Sequence, residues 1–76
     1  MYSIALYEEG RFCTQVGGLI GTLPEAIKQI KSISKPLDAT ELEDYFGVKF
    51  DRNGTMCALV VRDQFCFPIL QKYLEG

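Results

Sequence analysis

The chain has 76 residues, which is enough for one hydrophobic core, so we expect a single domain over residues 1–76. Its 47% hydrophobic and 24% charged residues are typical of a folded globular protein and exclude a disordered chain. A net charge of −2 argues against nucleic-acid binding, and no apolar run reaches the ~20 residues that cross a membrane. The absence of histidine excludes histidine-based catalysis and histidine-ligated metals.

The three cysteines indicate a reduced compartment. Cys13, Cys57 and Cys66 form no C-x-x-C motif, and the N-terminus lacks the features of a signal peptide. We therefore expect a cytoplasmic protein without disulfides, metal or cofactor. Cys66 lies just before a predicted helix and is the most plausible reactive thiol, but a small buried apolar residue is the favoured interpretation of each cysteine.

The first half of the chain predicts a β-hairpin and a helix. Alternating apolar residues indicate strands over residues 2–7 and 11–16. A glycine-rich connector then leads to Thr22, which has capping-box spacing to Glu25, and Pro24 suits the first helical turn. The helix is expected to end at Lys35, before a proline.

The second half repeats this order. A short acidic helix over residues 38–46 precedes two predicted strands. The first begins at residue 46 or 47 and ends at 51, and the second spans Thr55–Arg62. Residues 67–74 are predicted to be helical, with Pro68 in the first turn. A shift of 44 residues aligns Gly10 with Gly54, Cys13 with Cys57 and Pro24 with Pro68. The sequence thus predicts two ββα halves, residues 1–34 and 45–76.

The phase of each hairpin depends on its loop length. A two-residue loop at Glu9-Gly10 would pair Tyr7 with Phe12 and place Leu6 and Phe12 on opposite faces. A three-residue loop pairs Leu6 with Phe12, and the same choice at Arg52-Asn53-Gly54 pairs Phe50 with Met56. We predict the three-residue loops, because they bring the apolar sets of both hairpins to one face. These sets are Ile4, Leu6 and Phe12, and Val48, Phe50 and Met56.

The predicted fold class is α+β. We expect a two-layer sandwich in which helices pack on one face of a four-stranded, mostly antiparallel sheet of order 2-1-3-4. In that order the fourth strand is an edge, yet Met56 to Val61 are nearly all apolar on both sides. Either the order is different or the outer face meets another surface.

The outer face is therefore predicted to bind a partner protein or a second copy of the chain. The expected interface residues are Tyr7, Cys13, Cys57, Leu59 and Val61. This interpretation predicts a homodimer that regulates or inhibits an unidentified protein. Small regulators and inhibitors of phages and mobile elements have similar sizes, which is an analogy of scale alone.

The alternative is a small anionic ligand, such as a nucleotide. Glycines before a helix N-terminus let backbone N–H groups approach an anion, although no Walker A motif is present and Glu25 opposes the binding of phosphate. The candidate contacts are Gly17, Gly18, Gly21, Thr22, Lys28 and Lys31. An enzyme that uses Cys66 or the acidic helix ranks last, because no nucleophile-base pair can be assembled.

Overall fold

Four strands and one helix make up the part of the chain that the computed structural model describes, residues 1–35 and 45–75. In chain order the elements are β1 (Tyr2–Glu8), β2 (Arg11–Ile20), α1 (Leu23–Ser34), β3 (Gly47–Arg52), β4 (Thr55–Arg62) and a 3-10 turn at Gln71–Leu74. The predicted acidic helix over residues 38–46 lies largely outside the described residues. The fold is α+β, with a four-stranded antiparallel sheet.

The strand order is β2-β1-β4-β3, so the predicted order 2-1-3-4 is wrong. β4 is central and pairs antiparallel with both β1 and β3. Its position explains why the strand is apolar on both sides, because a central strand of this sheet is covered on each face. The edges are β2 and β3, and the three strand pairs in residues 1–35 and 45–75 are all antiparallel.

α1 forms as its sequence predicts. The Thr22 hydroxyl accepts a hydrogen bond from the Glu25 backbone N–H at 3.4 Å, and a proline occupies the first turn. Ala26 and Ile30 are buried against the sheet, whereas Lys28 and Lys31 on the opposite side are exposed. The helix ends at Ser34, directly before the expected boundary.

Both hairpins close with two residues, so the predicted three-residue loops are wrong. Glu9 and Gly10 have φ values of 51° and 78°, and Asn53 and Gly54 have 52° and 87°. Two successive positive φ values define a type I′ turn, whose twist matches that of the flanking strands. In the first hairpin the register shifts next to the turn, because Tyr7 pairs with Phe12 but Leu6 pairs with Thr14. This shift places Thr14 and Val16 on the same face as Leu6 and Ile4.

The shorter turns change which side chains face the helix. Ile4, Leu6, Val48 and Phe50 point to the helix side, as predicted, but Phe12 and Met56 are exposed. In the core, residues of β4 that are predicted to lie on the outer face take the places expected for Phe12 and Met56. Cys57, Leu59 and Val61 are buried in the core beneath α1.

The C-terminal segment, residues 68–75, covers the other face of the sheet. It pairs with the end of β4 through Pro68, and Tyr73 packs on Ala5, Tyr7 and Val60. The predicted helix over residues 67–74 is instead an extended stretch that ends in the 3-10 turn. The ββα pattern is therefore not confirmed for the second half, and this segment supplies cover that we expected only a second chain to provide.

Candidate functional site

A hydrogen-bonded turn over residues 63–67 follows β4. One carboxylate oxygen of Asp63, Oδ1, accepts from the backbone N–H groups of Phe65 at 2.8 Å and Phe67 at 3.1 Å. The Asp63 N–H donates to the Phe67 carbonyl at 2.8 Å, and the Cys66 N–H donates to the Asp63 carbonyl at 3.0 Å. An aspartate is suited to this role because its short side chain reaches backbone donors a few residues ahead. We call residues 63–67 the aromatic turn.

The aromatic turn exposes two large apolar side chains. Phe65 is 70% accessible and Phe67 is 63% accessible. Four hydrogen bonds fix the backbone that carries these rings. A rigid backbone lowers the entropic cost of placing an aromatic side chain in a partner's pocket.

A groove of about 330 Å³ lies beside the aromatic turn. One wall comes from Asp63, Gln64 and Cys66 of the turn, and the other walls come from the start of β1 and from Gln15 and Leu19 of β2. Leu19 and Met1, which also lines the groove, are among the most exposed apolar residues of the described chain. The groove thus combines exposed apolar side chains with the polar groups of Ser3, Gln15, Asp63 and Gln64, and it adjoins the turn that carries the two phenylalanines.

Arg62 lies directly before the aromatic turn and is only 6% accessible. Its Nε donates to Ser3 Oγ at 3.3 Å and its Nη2 donates to Gln15 Oε1 at 3.4 Å. The guanidinium also stacks over the Phe12 ring, 4.9 Å from the ring centroid. Both acceptors are neutral, and no ion pair of Arg62 occurs among residues 1–35 and 45–75.

The two edges of the sheet are unlike. β3 has six residues and carries Lys49, Asp51 and Arg52, which is how proteins discourage edge pairing. β2 has ten residues, and Arg11 is its only charged one. The register between β2 and β1 shifts near Cys13 and again near Gly17, and between these two points residues 14–16 pair regularly with β1. Within the described chain, the outer side of β2 has no strand partner.

The predicted interface residues do not share one surface. Cys57, Leu59 and Val61 lie in the core, so their assignment to an open outer face is wrong. Tyr7 is on the opposite face, as predicted, but Tyr73 covers it. Cys13 is exposed on β2.

The glycine-rich segment is mostly strand rather than a phosphate-binding loop. Gly17 and Gly18 lie within β2, whose end at Ile20 extends four residues past the predicted one. Gly21 separates this strand from Thr22, whose hydroxyl is engaged as the helix cap.

The two candidate lysines are both exposed on α1. The Lys31 ammonium lies 3.9 Å from the centroid of the Tyr45 ring. Lys28 lies three residues earlier on the same helix. Nothing in this arrangement adds support to the anion site, and the site stays a prediction.

The described residues assemble no metal cluster of three or more histidine, cysteine, aspartate or glutamate side chains. Burial raises the pKa of the Cys57 thiol, and the nearby carboxylate of Glu8 raises it further. A thiol with a raised pKa is a poorer nucleophile, which fits the interpretation of Cys57 as a core residue. Cys66 is exposed in the aromatic turn, where its backbone φ is 67°.

Sequence reasoning did not single out Phe65, Phe67 or Arg62. The signal available was the spacing Asp-x-Phe-x-Phe directly after an apolar strand, in a segment assigned to a loop and the start of a helix. An Asx-type turn there would have left both rings without a helix face on which to pack.

Comparison with protein-family models, with curated proteins and with solved structures gives no match for this chain. Among the described residues, no helix has the length and apolar character needed to cross a membrane.

Proposed function

We propose that this chain is a small protein-interaction module, of the regulator or inhibitor type, that binds a partner protein with its aromatic turn. The observation that carries the proposal is the exposure of Phe65 and Phe67 on a backbone held by four hydrogen bonds. Aromatic anchors of this kind dominate the binding energy of many interfaces. The groove next to the turn extends the contact surface.

Burial of the two exposed rings against a partner would release more free energy than their exposure to solvent does. An exposed phenylalanine contributes little to folding, and each ring that enters a pocket contributes about 2 kcal/mol of apolar burial. Two such rings on a preorganised turn supply a binding centre without a large interface. We place the module in the cytoplasm, where its three free thiols would stay reduced.

The proposal includes homodimerisation through the outer edge of β2. Residues 14–16 are the regularly paired part of this edge and carry no charge, so they are open to pairing with another strand. Antiparallel pairing of β2 with the β2 of a second copy would join two sheets around a two-fold axis and would place the two Arg11 residues at opposite ends. The aromatic turn does not belong to this edge and would remain available to a partner.

Site-specific photo-crosslinking tests the partner proposal. p-Benzoylphenylalanine placed at Phe65 should crosslink one discrete protein in the producing cell, and the same probe at the exposed Gln29 of α1 should not. Phe67→Ser should abolish the crosslink from Phe65 and shift the melting temperature by a few degrees at most. Identical crosslinks from Phe65 and Gln29 would contradict the proposal.

Sedimentation equilibrium tests the dimer. Native protein should self-associate at micromolar concentration, and Thr14→Lys on β2 should weaken the association about tenfold, because an edge lysine opposes strand pairing. Asp51→Lys on β3 is the matched control and should leave association unchanged. Native protein that is monomeric at high micromolar concentration would rule out the homodimer.

A further inference from the structure

Arg62 is a buried cation without a counter-charge in the described chain. Buried arginines are normally paired with a carboxylate, because desolvation of an unpaired charge is costly. Here the guanidinium has two hydrogen bonds, at 3.3 and 3.4 Å, and both acceptors are neutral. These distances are longer than those of charge-assisted hydrogen bonds, which leaves room for a better acceptor.

Those two acceptors place the guanidinium immediately behind the wall of the groove. Ser3 and Gln15, which hold Arg62, both line the groove beside the aromatic turn. Gln15 is exposed, and its amide also donates to the Gly17 carbonyl at 3.1 Å. The Gln15 side chain can therefore turn away from Arg62 at no cost to its own hydrogen bonding, and the Arg62 Nη2 group then needs a new acceptor.

We propose that the groove receives an acidic side chain from the partner protein and that this carboxylate replaces Gln15 Oε1 on the Arg62 guanidinium. The inference rests on the proposed function and names the chemistry of the partner segment: a glutamate or aspartate flanked by apolar residues. The carboxylate matches the unpaired charge, and the flanking residues match Met1 and Leu19 at the groove.

Among the described residues that line the groove, Asp63 is the one with an acidic side chain. Its Oδ1 already accepts two backbone N–H groups, which draw its charge toward the aromatic turn. Arg62 and Asp63 therefore have different roles in binding a ligand. The guanidinium attracts the acidic group, and the carboxylate shapes the turn.

The test uses two short peptides and the NMR signal of the Arg62 Nε–H group. Acetyl-Leu-Glu-Leu amide should shift this signal in a saturable way, and acetyl-Leu-Gln-Leu amide should bind about tenfold more weakly, since a charged acceptor forms the stronger hydrogen bond. Equal shifts from both peptides, or no shift from either, would overturn the proposal. A shift by sodium acetate with the same midpoint as the glutamate peptide would also overturn it, because the site would then take any small anion.

Gln15→Glu supplies an internal carboxylate at the same position. The variant should raise the melting temperature and weaken binding of the glutamate peptide about tenfold, because Arg62 is then already paired. Gln64→Glu is the matched control: it adds the same charge to the groove away from the two Arg62 acceptors and should change peptide binding much less. Equal losses in both variants would attribute the effect to general repulsion and would overturn the proposal.

The two proposals fail separately. A discrete crosslink from Phe65 together with no effect of the glutamate peptide would remove only the acidic-segment inference. Peptide binding at Arg62 without any crosslink from Phe65 would remove the aromatic anchor and leave a carboxylate site.

Discussion

Gly47 of β3 lies directly against the ring of Tyr73. A Cβ at Gly47 would stand 2.6 Å from Tyr73 Cδ2, which no packed pair of atoms tolerates. We expect Gly47→Ala to reduce the free energy of unfolding by about 1–3 kcal/mol, because the C-terminal segment must move off the sheet. Urea unfolding measures the loss.

Gly18→Ala is the control for that variant, since a Cβ at Gly18 meets no atom within 4 Å. The close contact also predicts coupling: in a Tyr73→Ala background, Gly47→Ala should cost much less than in the native chain. Additive costs would show that Tyr73 does not pack at Gly47.

Substitutions at Leu59 and Phe67 compare a residue of the core with a residue of the surface. Leu59→Ala should cost about 2–5 kcal/mol, as expected for a leucine buried under a helix, and Leu59→Glu should prevent folding. Phe67→Ser should change stability by about 0.5 kcal/mol or less, because the Phe67 ring is mostly exposed. Circular dichroism with urea titration checks both. A folded Leu59→Glu variant that differs only in oligomeric state would contradict the placement of Leu59 in the core.

Asp63 should control the rigidity of the aromatic turn. Asp63→Ala removes the acceptor of the Phe65 and Phe67 N–H groups, so we expect both amides to exchange with solvent about tenfold faster. Asp63→Asn keeps an oxygen at this position and should exchange at close to the native rate. Unchanged exchange in Asp63→Ala would show that the turn is held by its backbone bonds alone.

Cys57 should make stability fall at alkaline pH. Its folded pKa is raised by burial, so the thiol ionises more readily in the unfolded chain than in the folded one. The contribution of the neutral thiol is complete below the unfolded pKa and is lost as the pH rises through the folded pKa.

Unfolding under reducing conditions at several pH values checks this sign. The stability difference between the native chain and Cys57→Ala should shrink at alkaline pH. Cys13→Ala is the exposed control. A difference that is constant over this range would contradict the raised pKa.

The local elements could be predicted from sequence because local chemistry decides them. The Thr22 cap and Pro24 define the start of α1, and the bounds of β4 agree with its run of apolar residues. The shared apolar phase of the two hairpins favours three-residue loops, but turn chemistry decides the loop length, and Asn53-Gly54 is a strong signal for a two-residue type I′ turn. A one-residue error in that loop exchanged Met56 for Cys57 in the core.

The strand order and the site depend on contacts that no local pattern encodes. The apolar character of both sides of β4 indicated a problem with the predicted order, but it did not say which strand would cover which edge. Pro68 suggested a helix start, whereas pairing of Pro68 with Arg62 holds the segment extended. The groove joins β1, β2 and the aromatic turn, and only the assembled sheet brings those three together.

The seam between β1 and β4 has a kinetic consequence. Each hairpin can form within microseconds from neighbouring residues, but the pairing of Tyr7 with Ala58 joins positions about fifty residues apart in the chain. We therefore expect docking of the two hairpins to be the slow event in folding. Substitutions at the seam should therefore slow refolding, and those in the C-terminal segment should chiefly hasten unfolding.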